Sequence, residues 1–289
     1  MRRMKILLLS SLLAASLLTG CGDKKADEVE KNVKEEIKET EKDNKEEEKA
    51  IAETDEAEEN FANLEGHKIF AYCGAGMTKP FTEICNRFQE LTKCEVTPNF
   101  ANGAQIRSQI TTSEEGDFFC AGSRKDLTDI SDFVTEDVDL VKHIPVLAVT
   151  KGNPKDIKGL DDLTKDDVTF IMGSVEQTPI GKIAKKALTE KGIFDKVHIA
   201  ANTPTAPAMM GAVASGEADA CIVWKENCEN NDKVEIVETD DLNDFIKTIP
   251  IGYLKTASDK EACDEFMKFQ TSDIAKQIWK DFGYELVEK

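Results

Sequence analysis

The sequence predicts an α/β protein with largely parallel sheets from about residue 65 onward. Short apolar runs typical of strands alternate with amphipathic stretches typical of helices, and no repeat with the period of a solenoid is visible. The strand-like runs lie near residues 68–72, 95–100, 117–121, 144–150, 168–172, 197–200, 220–224, 234–238 and 248–254.

The helical stretches carry apolar residues three and four positions apart. The first begins at Pro80, and its apolar positions include Phe81, Ile84 and Phe88. Proline is tolerated at the start of a helix, where its missing N–H costs nothing. Further helices are predicted around Gln105 and over residues 179–191, 207–215, 259–270 and 272–281.

Residues 1–20 are predicted to be a signal peptide. M-R-R-M-K is followed by an apolar run, residues 6–18, that is short for a membrane span. Leu18-Thr19-Gly20 directly precedes Cys21, an arrangement that resembles the bacterial lipoprotein signal. The resemblance implies cleavage before Cys21, attachment of lipid (palmitate) and a protein that faces outward from a cell membrane. The alternative is an ordinary cleaved signal that contains a cysteine.

Residues 21–62 are predicted to be a charged, disordered tether. Residues 22–62 hold 17 acidic residues and 8 lysines, and Phe61 is the single aromatic residue. Such a segment buries too little apolar surface to fold alone. A short helix through Val29, Val33 and Ile37 is the alternative.

The charge of the chain limits its partners. A formal net charge of −19 argues against nucleic acid, which binds basic patches. It does not argue against a small anion, because backbone N–H groups bind anions without lysine or arginine.

Seven cysteines remain after Cys21, so at least one has no intramolecular disulfide partner. No C-x-x-C pair occurs, and several stand in apolar runs, where cysteine acts as a small buried hydrophobe. Cys73 and Cys120 follow predicted strands, so a thiol site for a soft metal such as Cu(I) stays open as an alternative.

Four junctions between a predicted strand and a helix could bind an anion. Each helix start presents unpaired N–H groups and a partial positive charge. The junctions are C-G-A-G-M-T-K-P at 73–80, N-F-A-N-G-A-Q-I at 99–106, G-S-V-E-Q-T-P-I-G-K at 173–182 and N-T-P-T-A-P-A-M-M at 202–210.

The sequence predicts no enzyme and no cofactor. Lys79 stands where a dinucleotide-binding loop has its third glycine, and Ile183 stands where a phosphate loop has Ser or Thr. The histidines, His67, His143 and His198, lack metal-ligand spacing. No G-x-S-x-G sequence occurs.

Several segments resemble the molybdate-type substrate-binding proteins of ABC importers. These are residues 70–84, 95–110, 116–127, 178–197, 212–224 and 278–286. The resemblance covers nearly all of residues 66–289. It implies a two-lobed type II periplasmic-binding-protein fold, with residues 63–148 plus 248–289 as lobe 1 and 149–247 as lobe 2. The lobes would close on an oxyanion by a hinge motion.

The resemblance also implies ligand contacts, which fall on Gly76, Gly103, Ile180, Ala206 and Trp224. The family usually has serine at the first two positions and tyrosine at the last, so three hydroxyl groups are missing here. Backbone N–H donors remain, and Trp224 offers an indole N–H. Replacement hydroxyls could come from Thr78, Ser123, Thr178 and Thr205, for which ordinary helix capping is the alternative.

Together these features predict a lipid-anchored receptor of the cell envelope that binds molybdate or tungstate and delivers it to an ABC permease. The anion's charges would be neutralised by N–H dipoles from the four helix starts. A different oxyanion or a small organic acid is the alternative ligand within the same fold.

Overall fold

The computed structural model describes residues 60–229 and 231–288. Asn60–Lys289 form one compact unit. The predicted signal peptide, Cys21 and residues 21–59 of the predicted tether lie outside the described residues. Within the described part, no helix is both long and apolar enough to cross a membrane.

Two sheets are formed by the described residues. The first contains β1 (Lys68–Gly74), β2 (Glu95–Ala101), β3 (Phe118–Cys120), β4 (Val134–His143), β10 (Lys247–Leu254) and β11 (Glu285–Leu286). The second contains β5 (Pro145–Thr150), β6 (Phe170–Gly173), β7 (Ile199–Thr203), β8 (Ala220–Trp224) and β9 (Val234–Val237). The strand orders are β11-β4-β10-β3-β1-β2 and β7-β6-β8-β5-β9.

Six of the helices in the described part of the chain follow a strand, and the last follows another helix. They are α1 (Thr78–Thr92), α2 (Gly103–Ser113), α3 (Arg124–Thr128), α4 (Pro179–Glu190), α5 (Ala206–Ser215), α6 (Lys260–Gln270) and α7 (Asp273–Asp281). Helix α1 buries the apolar stripe that its sequence predicts, with Phe88 packed 5.0 Å, between ring centroids, from Phe266 of α6. Each sheet has its own main hydrophobic core.

The predicted α/β class, with helices around each of two sheets, is confirmed. The sheets are mixed rather than mostly parallel. β1 is parallel to β2 and β3, and β6 is parallel to β7 and β8. The other five pairings among the described strands are antiparallel, and each of them involves β4, β5, β9, β10 or β11.

All nine predicted strand-like runs overlap a strand, but β4 and β11 were not predicted. In V-T-E-D-V-D-L-V-K-H, β4 has acidic residues on exposed positions, and only its last residues are largely buried. Its apolar pattern is therefore weak, and it is held as a strand by pairing with β10 more than one hundred residues later in the chain.

The chain crosses between the sheets twice. It leaves β4 at His143, enters β5 at Pro145 and returns to the first sheet at Lys247. Lys247 pairs with His143, and Pro145 pairs with Trp224, so both crossings lie together. The two crossings lie within five residues of the lobe boundaries predicted at 148/149 and 247/248. The division into two lobes stays a prediction.

Candidate functional site

Four of the predicted site residues lie at one edge of the first sheet. Because β1 runs parallel to β2 and β3, the carboxyl ends of all three strands meet at that edge. Gly76 and Thr78 follow β1, Gly103 follows β2, and Ser123 follows β3. An ideal Cβ on Gly74 would lie 3.6 Å from the backbone nitrogen of Gly122, so the loops after β1 and β3 are close neighbours.

Gly76 lies in an exposed turn of 3₁₀ helix between β1 and α1. An ideal Cβ on Gly76 would meet no heavy atom within 4 Å. Thr78, the first residue of α1, donates its hydroxyl to the carbonyl of Ala75 at 2.8 Å. Met77 precedes α1 and gives no side-chain hydrogen bond to its first turn. The start of α1 is thus without a side-chain cap.

Gly103 begins α2 beside a polar cluster. The side chain of Asn102 caps this helix, accepting a hydrogen bond from the N–H of Gln105 at 3.0 Å. An ideal Cβ on Gly103 would lie 2.9 Å from Oδ1 of Asp126, so the glycine leaves room for that carboxylate. Asp126 forms an ion pair with Arg107. Sequence reasoning missed both residues of this pair.

The hydroxyl of Ser123 is used inside this cluster. It donates to Oδ2 of Asp126 at 2.8 Å. The hydroxyl of Ser123 can therefore donate to an anion only if its hydrogen bond to Asp126 breaks.

The remaining predicted site residues lie at the corresponding edge of the second sheet. β6 is parallel to β7 and β8, so the carboxyl ends of these strands also meet. Thr178 and Ile180 follow β6, Thr205 and Ala206 follow β7, and Trp224 ends β8. The sheet topology brings all five together at this edge.

The two threonines at this edge cap their helices. Thr178 accepts a hydrogen bond from the N–H of Gly181 at 3.0 Å, and Thr205 accepts one from Ala208 at 3.3 Å. Capping was the alternative role foreseen for both. These bonds satisfy the third N–H of each helix.

The caps and the prolines leave one backbone donor at each of these two helix starts. Pro179 and Pro207 have no N–H, so Ile180 and Ala206 carry the remaining donors of the first two helical positions. Neither N–H has a hydrogen-bond partner among residues 60–229 and 231–288. The two positions inferred from the resemblance are thus the ones with a free N–H.

Trp224 lies where the two crossings meet. Its side chain is 9 % exposed, and its ring is stacked on His143 with centroids 3.5 Å apart. His143 in turn contacts Oε1 of Glu226 through Nε2 at 2.9 Å. The tryptophan therefore joins the end of β8 to the end of β4.

One lysine near this point was also missed by sequence reasoning. Lys247 begins β10, is half-buried, and places its ammonium 5.9 Å from the centroid of the Trp224 ring. Burial lowers the pKa of Lys247, the nearby charge of Lys182 lowers it further, and Asp126 opposes the shift.

The cysteines are core residues. Six of the seven described cysteines, including Cys73 and Cys120, are buried, all seven are free thiols, and Cys228 is half-buried. In the described part of the chain, no group of three or more His, Cys, Asp or Glu residues could hold a metal ion. The geometry gives no support to the soft-metal alternative.

We expect the native thiols to resist modification at pH 8. Burial raises the pKa of Cys228 to about 12 and that of Cys94 to about 11, so almost no thiolate forms there. Ellman's reagent should label less than one thiol rapidly in folded residues 60–289 and all seven in guanidinium chloride. Rapid labelling of two native thiols, suppressed by Cu(I), would instead restore the metal-site alternative.

A cavity of about 440 Å³ lies away from these junctions, along the β4–β11 side of the first sheet. Arg124, Asp137, Asp139 and Gln270 are among its lining residues, and none of the predicted site residues lines it.

Helix starts lie at the carboxyl edges of both sheets, and the chain crosses between the sheets twice. This arrangement is typical of periplasmic-type binding proteins. Residues 69–285 match the family model described as bacterial extracellular solute-binding protein. The chain belongs to this family. It is an extracytoplasmic solute-binding protein of an ABC transporter, and the prediction that it is not an enzyme is confirmed.

Curated relatives are similar over most of their length. A Haemophilus influenzae protein named "Putative binding protein" is 25% identical over 231 residues, covering 77% of this chain and 92% of its own. The Bacillus subtilis "Putative ABC transporter substrate-binding lipoprotein YvgL" is 24% identical, with coverages of 65% and 75%. The molybdate-binding protein ModA of Mycobacterium tuberculosis is 20% identical, with coverages of 75% and 84%.

Solved structures share the fold with different ligands. The "substrate binding domain of putative molybdenum ABC transporter from Clostridium difficile" has a TM-score of 0.66 and 26% identity, covering 77% of this chain and 100% of its own. PEB3 bound to L-phospholactate has a TM-score of 0.55 and 23% identity, with coverages of 75% and 99%. The M. tuberculosis sulfate-binding protein SubI has a TM-score of 0.58 and 15% identity, with coverages of 77% and 88%. The last two likenesses show the fold alone.

Proposed function

We propose that this protein binds a tetrahedral oxyanion, molybdate or tungstate, and delivers it to the permease of an ABC importer. The observation that carries the proposal is the pair of free N–H groups of Ile180 and Ala206 at the carboxyl edge of the second sheet. N–H groups at the start of a helix can donate hydrogen bonds to an anion. Hydrogen bonds to an ionised acceptor are stronger than those between neutral groups.

The first sheet supplies the opposing donors. Gly76 and Gly103 lie at the starts of the two helical segments that follow β1 and β2, and an ideal Cβ on Gly76 would meet no heavy atom within 4 Å. The anion would lie between these two sets of helix starts. Closure of a lobe of residues 63–148 plus 248–289 on a lobe of residues 149–247, about the crossings at His143 and Lys247, would bring the sets together.

The comparisons support the choice of ligand class. ModA of M. tuberculosis is named for molybdate, and the C. difficile structure is described as part of a molybdenum transporter. The alternatives within the same fold are a different oxyanion or a small organic acid, because three hydroxyl groups that the family usually has are missing here. The hydroxyl groups of Thr78, Thr178 and Ser123 already donate hydrogen bonds within the chain. The hydroxyl of Thr205 accepts a hydrogen bond from the N–H of Ala208 and can still donate to an anion. Backbone donors therefore carry most of the proposed site.

We also propose that Cys21 is lipidated and anchors the receptor to the outer face of a membrane. The lipoprotein signal before Cys21 supports this, as does the lipoprotein YvgL among the relatives. Incorporation of labelled palmitate into the expressed chain, and its loss in Cys21→Ser, would be the expected result. Equal labelling of both chains would contradict it.

Thermal unfolding of residues 60–289 against molybdate, tungstate, sulfate, phosphate and selenate tests the ligand. A ligand at about 100 times its dissociation constant stabilises the folded state by about 2.7 kcal/mol. A raised melting temperature with molybdate or tungstate alone would support the proposal. No change with any of these anions would contradict it, and the organic acids would be tested next.

Replacement of Gly76 by valine is expected to abolish oxyanion binding while leaving the fold intact. An ideal Cβ at this position meets no heavy atom, so valine would project into open space rather than into the core. If the backbone of Gly76 approaches the anion, the branched side chain blocks that approach. Calorimetric titration with molybdate measures the loss.

Gly211→Val is the matched control for this variant. Gly211 lies in the exposed middle of α5, and an ideal Cβ there also meets no heavy atom within 4 Å. Its affinity for molybdate should remain within about twofold of the unaltered protein. Unchanged binding by Gly76→Val would remove Gly76 from the site.

A further inference from the structure

The start of α2 offers two backbone donors that the described chain does not use. The side chain of Asn102 caps the third N–H group of this helix, which belongs to Gln105. The N–H groups of Gly103 and Ala104 have no hydrogen-bond partner among the residues that the structure describes. A helix start with free N–H groups carries a partial positive charge and favours a negative group beside it.

A carboxylate of the same chain occupies the space beside this helix start. An ideal Cβ on Gly103 would lie 2.9 Å from Oδ1 and 3.1 Å from Cγ of Asp126. Standard bond lengths place a Cβ about 2.5 Å from the nitrogen of its own residue, so Oδ1 is at most about 5.4 Å from the nitrogen of Gly103. Asp126 is therefore next to a residue of the proposed anion site.

Two side-chain donors hold this carboxylate in place. Arg107 forms an ion pair with Oδ1 of Asp126, and the hydroxyl of Ser123 donates to Oδ2 at 2.8 Å. Arg107 is one turn beyond Gly103 on α2, and helical side chains point back toward the helix start. An ideal Cβ on Gly103 would accordingly lie 3.4 Å from Nη1 of Arg107. A guanidinium and a hydroxyl thus hold one anionic group beside free backbone N–H groups.

Arg107 keeps donors that a ligand can use. A guanidinium has five N–H donors, and within the described ranges this one makes a single hydrogen bond, to Asp126. The nearby carboxylate of Asp129 is 3.8 Å from Nε of Arg107 and is itself paired with Lys125. The side chain of Arg107 is 25% exposed, so a small solute can reach it from solvent.

We propose that Arg107 and Ser123 form an oxyanion subsite with the start of α2, and that Asp126 fills this subsite until the ligand displaces it. The inference rests on the proposed oxyanion function and adds the residues that set the affinity beside Gly103. A tetrahedral dianion has four acceptor oxygens and two charges, whereas a carboxylate has two oxygens and one charge. The ligand therefore gains more from the same donors than Asp126 does.

The subsite also compensates for the missing serine at position 103. A serine there would bring its side chain against the carboxylate of Asp126, because Oδ1 lies only 2.9 Å from the ideal Cβ. Glycine leaves this space open, and Arg107 supplies N–H donors in place of the hydroxyl. A planar guanidinium can donate two parallel hydrogen bonds to two oxygens of one anion, which a serine hydroxyl cannot do.

Asp126→Ala is expected to strengthen tungstate binding about tenfold, because the ligand no longer has to displace an internal carboxylate. Calorimetric titration of residues 60–289, which form one compact unit, measures the dissociation constant. Thermal unfolding without ligand checks that the variant is folded.

Asp129→Ala is the matched control. It removes the same charge beside the same arginine. However, the hydroxyl of Ser123 donates to Asp126, and Asp126 and Arg107 supply the three atoms nearest to the Cβ position of Gly103. Its affinity for tungstate should therefore remain within about twofold of that of the unaltered protein.

Double variants test the two donors. In the Asp126→Ala protein, adding Arg107→Gln should weaken tungstate binding at least about tenfold, and adding Ser123→Ala should weaken it about fivefold. Arg107→Gln alone is less informative, because it leaves the charge of Asp126 unpaired beside the site and weakens binding for that reason. Adding Arg107→Lys to Asp126→Ala should cause a smaller loss, because lysine keeps the charge without the planar fork.

Four outcomes would overturn the inference. Unchanged or weaker tungstate binding by Asp126→Ala would show that Asp126 does not compete with the ligand. An equal gain in Asp129→Ala would show a general effect of charge. Equal affinities of Asp126→Ala with and without Arg107→Gln would show that the ion pair only joins α2 to α3. These three results leave the proposed function intact, whereas binding of neither tungstate nor molybdate by the unaltered protein and Asp126→Ala would overturn both.

Discussion

Replacing Gly181 with alanine is expected to lower the free energy of unfolding by about 3 kcal/mol, the upper end of the usual range for overpacking. An ideal Cβ on Gly181 would lie 2.2 Å from the carbonyl oxygen of Gly173 and 2.6 Å from the carbonyl oxygen of Ser174. These are backbone atoms at the end of β6, so they cannot rotate away as a side chain would. The start of α4 would have to move outward from the sheet.

This displacement should also damage the ligand site. Gly181 follows Ile180, and its N–H is the group that Thr178 caps. Moving the first turn of α4 would therefore shift the proposed donor, the N–H of Ile180, and would disrupt the hydrogen bond between Gly181 and Thr178. Chemical denaturation measures the loss of stability, and titration with tungstate measures the loss of affinity.

Gly211→Ala is the control for this substitution. Gly211 is an exposed residue within α5, where an ideal Cβ meets no heavy atom within 4 Å. Alanine has a better helix propensity than glycine, so this variant should be up to about 1 kcal/mol more stable. A Gly181→Ala protein as stable as the unaltered one would contradict the close approach of α4 to β6.

The sequence was most informative where local pattern and burial agree. Helix α1 has apolar residues at helical spacing behind Pro80, and it was predicted almost to its limits. Strand β4 was missed because its acidic side chains are exposed to solvent, which weakens its apolar pattern, and because its pairing partner β10 is distant in the chain. The mixed sheets were missed for a related reason, since strand direction depends on the two crossings and not on composition.

The site was predictable only in part. Prolines and threonines mark the helix starts, so the junctions around Ile180 and Ala206 could be located from sequence. Lys247 could not, because nothing local distinguishes it from a solvated lysine. Its place beside the Trp224 ring follows from the pairing of β10 with β4 and becomes visible only in three dimensions. The ligand contacts themselves stay a prediction.

Replacing Trp224 with alanine is expected to have a comparably large effect on stability. Trp224 is 9 % exposed, and its ring is stacked on His143 where the chain passes from one sheet to the other. Truncating a buried tryptophan typically costs about 3–5 kcal/mol. Equilibrium denaturation of residues 60–289 measures the loss, which ligand at about 100 times its dissociation constant would offset by at most about 2.7 kcal/mol.

Trp224→Phe separates the two roles of this residue. Phenylalanine keeps an aromatic face against His143 and beneath the ammonium of Lys247, so most of the stability should remain. It removes the indole N–H, which is the only polar donor of the side chain. A stable Trp224→Phe protein with weakened tungstate binding would show that the indole N–H contacts the ligand. Retention of both stability and affinity would instead mean that Trp224 only connects the ends of β8 and β4, and the anion would then depend on backbone donors.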